Sequence, residues 1–150
     1  MRGIIILAVW LFALGVSGLS GAEEPAQPEQ SFQDRKKLVA DNLPLTEAEA
    51  LRFWPLYDKF EQELTKLTER RKAIINKLGE NYDDMSDAMA KQIVLEQLDY
   101  QEARLQLMKA YFPRFEKTLP LKKLARFYQI EGRIRAAVEA EIAERIPLIQ

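Results

Sequence analysis

The residues able to do chemistry in this chain are its carboxylates and a pair of methionines, because the sequence holds no histidine and no cysteine. Histidine is the usual general base near neutral pH and a leading ligand for transition metals; cysteine supplies thiolate nucleophiles and soft metal sites. Their absence excludes thiol chemistry, serine–histidine hydrolysis and zinc sites built on either residue. What remains is Glu61 with Glu63 in one segment, Glu139, Glu141 and Glu144 in another, and Met85 with Met89. A carboxylate metal site in a helical bundle draws on Glu-x-x-His, which cannot occur here. Each glutamate group falls outside the apolar stripe of its segment and has bases nearby, so it reads as solvated helix surface. Met85 and Met89 stand one helical turn apart, a spacing open to copper(I) but commoner in packing. No catalytic residue, metal ligand or cofactor is assigned, and the expectation is a protein that is not an enzyme.

The bases say more than the acids. Between Arg104 and Arg135 there are nine of them, among them Arg104, Arg114 and Arg126, against only Glu116 and Glu131. Tyr111, Phe112, Phe115, Phe127 and Tyr128 are interleaved with these charges. That mixture suits adhesion to chains that are apolar and anionic together, although the same aromatic spacing also serves a core. Over the whole chain 22 bases nearly balance 23 acids, which does not point to nucleic acid as a partner.

The elements that must carry these residues are helices. Arg2, the apolar run Ile4 to Leu14 and the small residues Ser20-Gly21-Ala22 have the form of a signal peptide over residues 1–22, cleaved near Ala22, with no stable membrane insertion afterwards. Residues 23–30 are acidic and carry two prolines, so a disordered lead-in is expected. Residues 31–150 then form a single all-helical domain. It opens with one short helix within Ser31 to Asn42, which holds the bases Arg35-Lys36-Lys37 and must dock on the rest to persist.

Leu43-Pro44-Leu45-Thr46-Glu47-Ala48-Glu49 begins the first long helix. Thr46 is a good N-cap and Glu49, three residues later, completes a capping box. From Ala50 onward, Phe53, Tyr57, Phe60, Leu64, Leu67, Ile74 and Leu78 recur at three- and four-residue spacing, with Arg71 the one residue out of character. Gly79 is the expected stop. Pro55, and Pro113 in the next helix, each remove a ladder hydrogen bond and predict a bend. The second long helix is capped by Ser86 or Asp87 and continues to about Leu119. Its pattern offers two apolar faces: Val94, Leu98, Leu105, Met108, Phe112 and Phe115 are assigned to the core, while Ile93, Tyr100, Leu107 and Tyr111 lie about 120° away. The second group is therefore the candidate client or partner surface, with Arg104, Arg114 and Arg126 supplying charge. A last helix opens at Leu119-Pro120-Leu121, a fainter copy of the earlier start, with Pro120 in its first turn. Phe127, Ile130, Ile134, Val138, Ile142 and Ile146 line it and Pro147 ends it.

Leu45-Thr46-Glu47-Ala48-Glu49 resembles the Leu-Thr-x-x-Gln motif of the LTxxQ family of periplasmic proteins, which includes the Spy- and CpxP-like stress chaperones and metal-responsive relatives. Glu49 stands where the motif has Gln, which preserves the box, and the second start, Leu121-Lys122-Lys123-Leu124-Ala125, keeps only the leucine. The resemblance implies a periplasmic protein of long, kinked, antiparallel helices in a hairpin or bundle, paired into a cradle-like homodimer. It implies holdase activity toward unfolded or envelope proteins, or an envelope-stress adaptor role. Docking on a membrane sensor protein is the alternative implied by the same family. Its metal-responsive members lean on histidine, which this chain lacks.

Overall fold

The computed structural model describes residues 28–149, so the signal peptide and residues 23–27 of the lead-in lie outside the described residues. Four helices follow one another: α1 (Pro28–Asn42), α2 (Glu47–Glu80), α3 (Asp87–Glu116) and α4 (Leu121–Arg145). The fold is all-α, with no strand among the described residues. The lead-in is shorter than expected, because α1 takes Pro28 as its first residue, where the missing N–H is no loss.

Local chemistry sets each boundary. At the start of α2 the Thr46 hydroxyl accepts from the Glu49 amide at 3.3 Å, and the Thr46 amide donates to the Glu49 carboxylate at 2.7 Å. The expected capping box is therefore formed in both directions. Gly79 does not stop the helix, which continues to Glu80; Asn81 ends it, its side-chain amide donating to the Lys77 carbonyl at 2.8 Å. Ser86 caps α3 by accepting from the Met89 amide. Pro120 proves to be the N-cap of α4 rather than a first-turn residue, and no side chain caps that helix. Neither interior proline breaks its helix: α2 runs through Pro55 and α3 through Pro113. Both are exposed, so the carbonyl each leaves without a partner faces water.

α2 and α3 form an antiparallel hairpin, fixed along its length by Tyr111 on Glu63, Asp99 on Arg70 and Glu96 on Lys77. α4 returns beside it, parallel to α2. Glu131 reaches the level of Glu61 through Arg35, Glu139 that of Arg71, and the Leu148 carbonyl accepts from the Tyr82 hydroxyl at 2.9 Å. The core is concentrated where all four helices meet. Phe53, Tyr57, Phe60, Tyr111, Phe115 and Phe127 pack there with ring centroids as close as 4.8 Å, joined by Val39 from α1 and by Leu43, Leu119 and Leu124. A smaller cluster of Ile74, Ile93 and Tyr100 holds the far end of the hairpin.

The assignment of faces on α3 holds for Phe115, which is fully buried, and for half-buried Met108, which packs on the core, but is reversed for the other residues. Ile93, Tyr100, Leu107 and Tyr111 are only 2–9 % exposed, whereas Val94, Leu98, Leu105 and Phe112 are 43–56 % exposed. The reason lies in the partner helix. The α2 stripe from Phe53 to Leu78 alternates four and three residues, the spacing of a two-helix seam. The matching seam on α3 is Ile93, Gln97, Tyr100, Arg104, Leu107 and Tyr111, in which half-buried Gln97 and Arg104 interrupt the apolar signal. Tyrosine also satisfies both demands of a seam edge, since the buried Tyr111 ring packs on Phe60 while its hydroxyl reaches Glu63 at 2.6 Å.

Candidate binding surface

The four residues expected to touch a client, Ile93, Tyr100, Leu107 and Tyr111, are thus covered by α2 within the monomer and are withdrawn from the site. Their place is taken by the stripe they were contrasted with. Val94, Leu98, Leu105 and Phe112 fall within about 20° of one line along α3 at 100° per residue; all four are about half exposed, and the Phe112 ring meets Tyr128 of α4 edge to face at 5.8 Å. Leu95, half exposed, widens the stripe on one side. Lys91, Glu102, Lys109 and Glu116 alternate in sign along its border. An aligned row of half-exposed apolar side chains on a folded chain is a candidate place of association.

The three arginines named from sequence are not brought together. Arg114 is exposed with its guanidinium 4.8 Å from the Tyr111 ring centroid, which shields that side of the core. Arg126 donates to the Asn42 carbonyl at 2.6 Å and ties the end of α1 to α4. Arg104 is half-buried between α3 and α4, where burial lowers its pKa, Tyr100 opposes that effect and Arg135 reinforces it. Beside it a groove of about 750 Å³ opens between the two helices, lined by Leu98, Tyr100, Leu105, Met108, Arg135 and Glu139 among others.

Behind the groove is an ionic cluster that the solvated-surface reading of the glutamates missed. Arg35 of α1 donates through Nε to both oxygens of Glu61, at 3.1 and 3.2 Å, and through Nη2 to Glu131 Oε2 at 2.7 Å. Glu61 and Glu131 are 2 % and 0 % exposed, and Glu131 Oε1 has no hydrogen-bond partner. Desolvation raises both carboxyls against the pull of Arg35, and Glu131 is pushed up to about 7. The Tyr57 hydroxyl lies beside the two acids without a well-formed hydrogen bond and is held protonated, chiefly by burial. On α2 Arg71, the odd residue in the stripe, is buried and forks onto both oxygens of Glu139. Of the other glutamates, Glu63 accepts from Tyr111 and Glu141 pairs with Arg145 on the surface.

Comparison of the chain with protein-family models, curated proteins and solved structures gives no match. The geometry must therefore carry the functional reading. Among the described residues no group of three or more acidic side chains is placed to hold a metal ion. Nor is any described helix long and apolar enough to cross a membrane.

The motif residues are architectural. Leu45 packs against the main core, and Thr46 and Glu49 close the box. The two similar helix starts, 43–57 and 119–128, meet in space. Lys123 of α4 donates to Glu49 Oε2 at 2.5 Å, and Phe53 and Phe127, each the middle residue of an Arg-Phe-aromatic triplet, meet edge to face at 5.2 Å. Lys123 and the box together hold the Glu49 carboxyl below its ordinary range, Lys123 first. A lysine that looks unfavourable at the positive end of the α4 dipole is thus used to join two helix ends. Sequence reasoning misses Glu131 and the buried roles of Arg71 and Arg104, and the three share one signal: each is an ionisable side chain at a seam position of its helix.

Proposed function

We propose that the protein is a non-enzymatic, periplasmic binding protein of holdase or stress-adaptor type, capturing partly unfolded polypeptides on the outward face of α3. The observation that carries this reading is the half-exposed apolar line Val94, Leu98, Leu105 and Phe112. Four apolar side chains spread over about five turns, bordered by Lys91 and Lys109 and by Glu102 and Glu116, match short apolar segments flanked by charges of either sign. Such contacts need no cofactor and release their cargo readily, because few rotamers are fixed and the charges stay hydrated. The signal peptide and the Leu-Thr-x-x-Glu start support periplasmic residence and kinship with the LTxxQ family.

The test is aggregation of a thermally or chemically unfolded client in the presence of the purified protein. Suppression that saturates at a defined ratio supports capture; an unchanged aggregation rate at several-fold excess removes it. A second copy of this chain is the other occupant such a face accepts, in the homodimer that the family resemblance implies. Sedimentation across protein concentration separates the two, since a dimer closed over the stripe lowers client capture as concentration rises.

A further inference from the structure

We infer that the groove between α3 and α4 is a site for a single-chain amphiphile with an anionic head, the head held between Arg104 and Arg135 and the tail lying on Leu98, Leu105 and Met108. This goes beyond polypeptide capture and shares with it only Leu98 and Leu105, where the stripe borders the groove; the arginine pair belongs to the groove alone.

Three observations converge. The first is two guanidinium groups from different helices that line one groove, neither forming a hydrogen bond or close ion pair among the described residues; Arg135 disfavours the charge on Arg104, which Glu131 attracts only at longer range. Acids are near, yet they are spoken for. Glu139 is gripped by both arms of Arg71, Glu131 is held by Arg35 behind the groove, and Glu102 stands exposed on the outer wall. Two like charges facing one space are relieved by an anion, and paired guanidiniums hold a carboxylate or phosphate with charge-assisted hydrogen bonds.

The second is the size and form of the space. At about 750 Å³ it lies within the range of small-molecule sites. From Leu98 to Met108 the α3 wall runs about 15 Å at the helical rise, a length that suits an acyl chain. Met108, unbranched and half-buried, is the side chain best able to adapt to such a tail.

The third is what the walls cannot do. Both are helices whose backbone groups are paired internally, so the groove offers an extended peptide no free N–H or C=O along its length. A methylene chain makes no such demand, and one anionic head pairs with the two guanidiniums, leaving the exposed Gln101, Glu102 and Gln106 to water. The chemistry of the groove therefore favours an amphiphile over a peptide.

The experiment is calorimetric titration of the purified protein with monomeric dodecanoate, dodecyl phosphate, dodecanol and inorganic phosphate. The expected result is one anionic amphiphile per chain, for one or both heads, with dodecanol and inorganic phosphate at least tenfold weaker, as loss of a charged hydrogen-bond pair implies. Arg135→Gln changes an exposed side chain and should weaken dodecanoate or dodecyl phosphate at least tenfold, while Arg114→Gln, an equal change of charge outside the groove, leaves it within twofold. Client suppression should survive Arg135→Gln, so failure of this site and failure of the holdase reading give different results. Equal affinity for dodecanol, many amphiphiles per chain, no binding, or indifference to Arg135→Gln would each overturn the inference.

Discussion

Replacing Glu131 by glutamine should stabilise the protein above neutral pH and lose that advantage in acid. Glu131 is wholly buried between Arg35 of α1, Tyr57 and Glu61 of α2 and Arg104 of α3, and one of its oxygens has no partner. Desolvation acts against the charged form, Arg35 and Arg104 favour it, and Glu61 opposes it; the balance lifts the carboxyl from 4.5 to about 7. Because the folded pKa is the higher one, the folded state holds a proton that the unfolded chain releases between these values. The contribution to stability is complete below about pH 4.5 and is lost as pH rises through 7. At about 1.4 kcal/mol per pH unit, the loss is on the order of 3 kcal/mol by pH 8. Glu131→Gln keeps the shape and an acceptor for Arg35 but carries no titrating proton. The stability difference, variant minus wild type, measured by denaturant unfolding from pH 4.5 to 8.5, should therefore grow by roughly that amount. Glu49 and Glu96, whose carboxyls are lowered by lysine partners, tilt stability the opposite way, but they are unchanged in the variant and cancel in the difference. A difference independent of pH would refute the desolvation argument. One that shrinks as pH rises would show that Arg35 outweighs burial.

Other perturbations test the architecture. Thr46→Ala removes one half of the capping box and should lower stability by about 1 kcal/mol in denaturant unfolding, with client capture per folded molecule unchanged. Loss of capture with stability intact would make the motif a site rather than a cap. Phe127→Ala empties the centre of a cluster in which that ring meets Phe53, Tyr57, Phe60 and Phe115, and should cost about 3–5 kcal/mol by the same measurement. A loss below about 1 kcal/mol would mean that the cluster is not the main source of stability.

Helix number, order and most boundaries were legible in the sequence because they follow from local chemistry. Thr46 and Glu49 announce α2, Ser86 announces α3, and the four-and-three spacing from Phe53 to Leu78 can be read without knowing what it packs against. The face of α3 could not be read in the same way. Its two apolar groups are similar in size, and the seam that α2 covers is disguised by Gln97 and Arg104, which are half-buried. Choosing between the groups requires the partner helix and not periodicity alone. The glutamates failed for a related reason. Glu61 lies beside the stripe and was read as solvated by its type, yet Arg35, 26 residues earlier in a helix judged marginal, supplies the charge that lets it be buried. Long-range ion pairs leave no periodic trace. An arginine or glutamate standing where a seam expects leucine was the available sign, and Arg71 showed it.

The central claim is that function resides on the outward stripe of α3. Leu98→Gln with Leu105→Gln replaces two half-exposed leucines by a residue of similar helix propensity, so folding should change by no more than about 0.5 kcal/mol per site. The decisive measurement is suppression of client aggregation by this double variant, with unfolding monitored alongside. The account predicts that suppression falls at least severalfold while stability holds. Undiminished suppression by a fully folded double variant would contradict it.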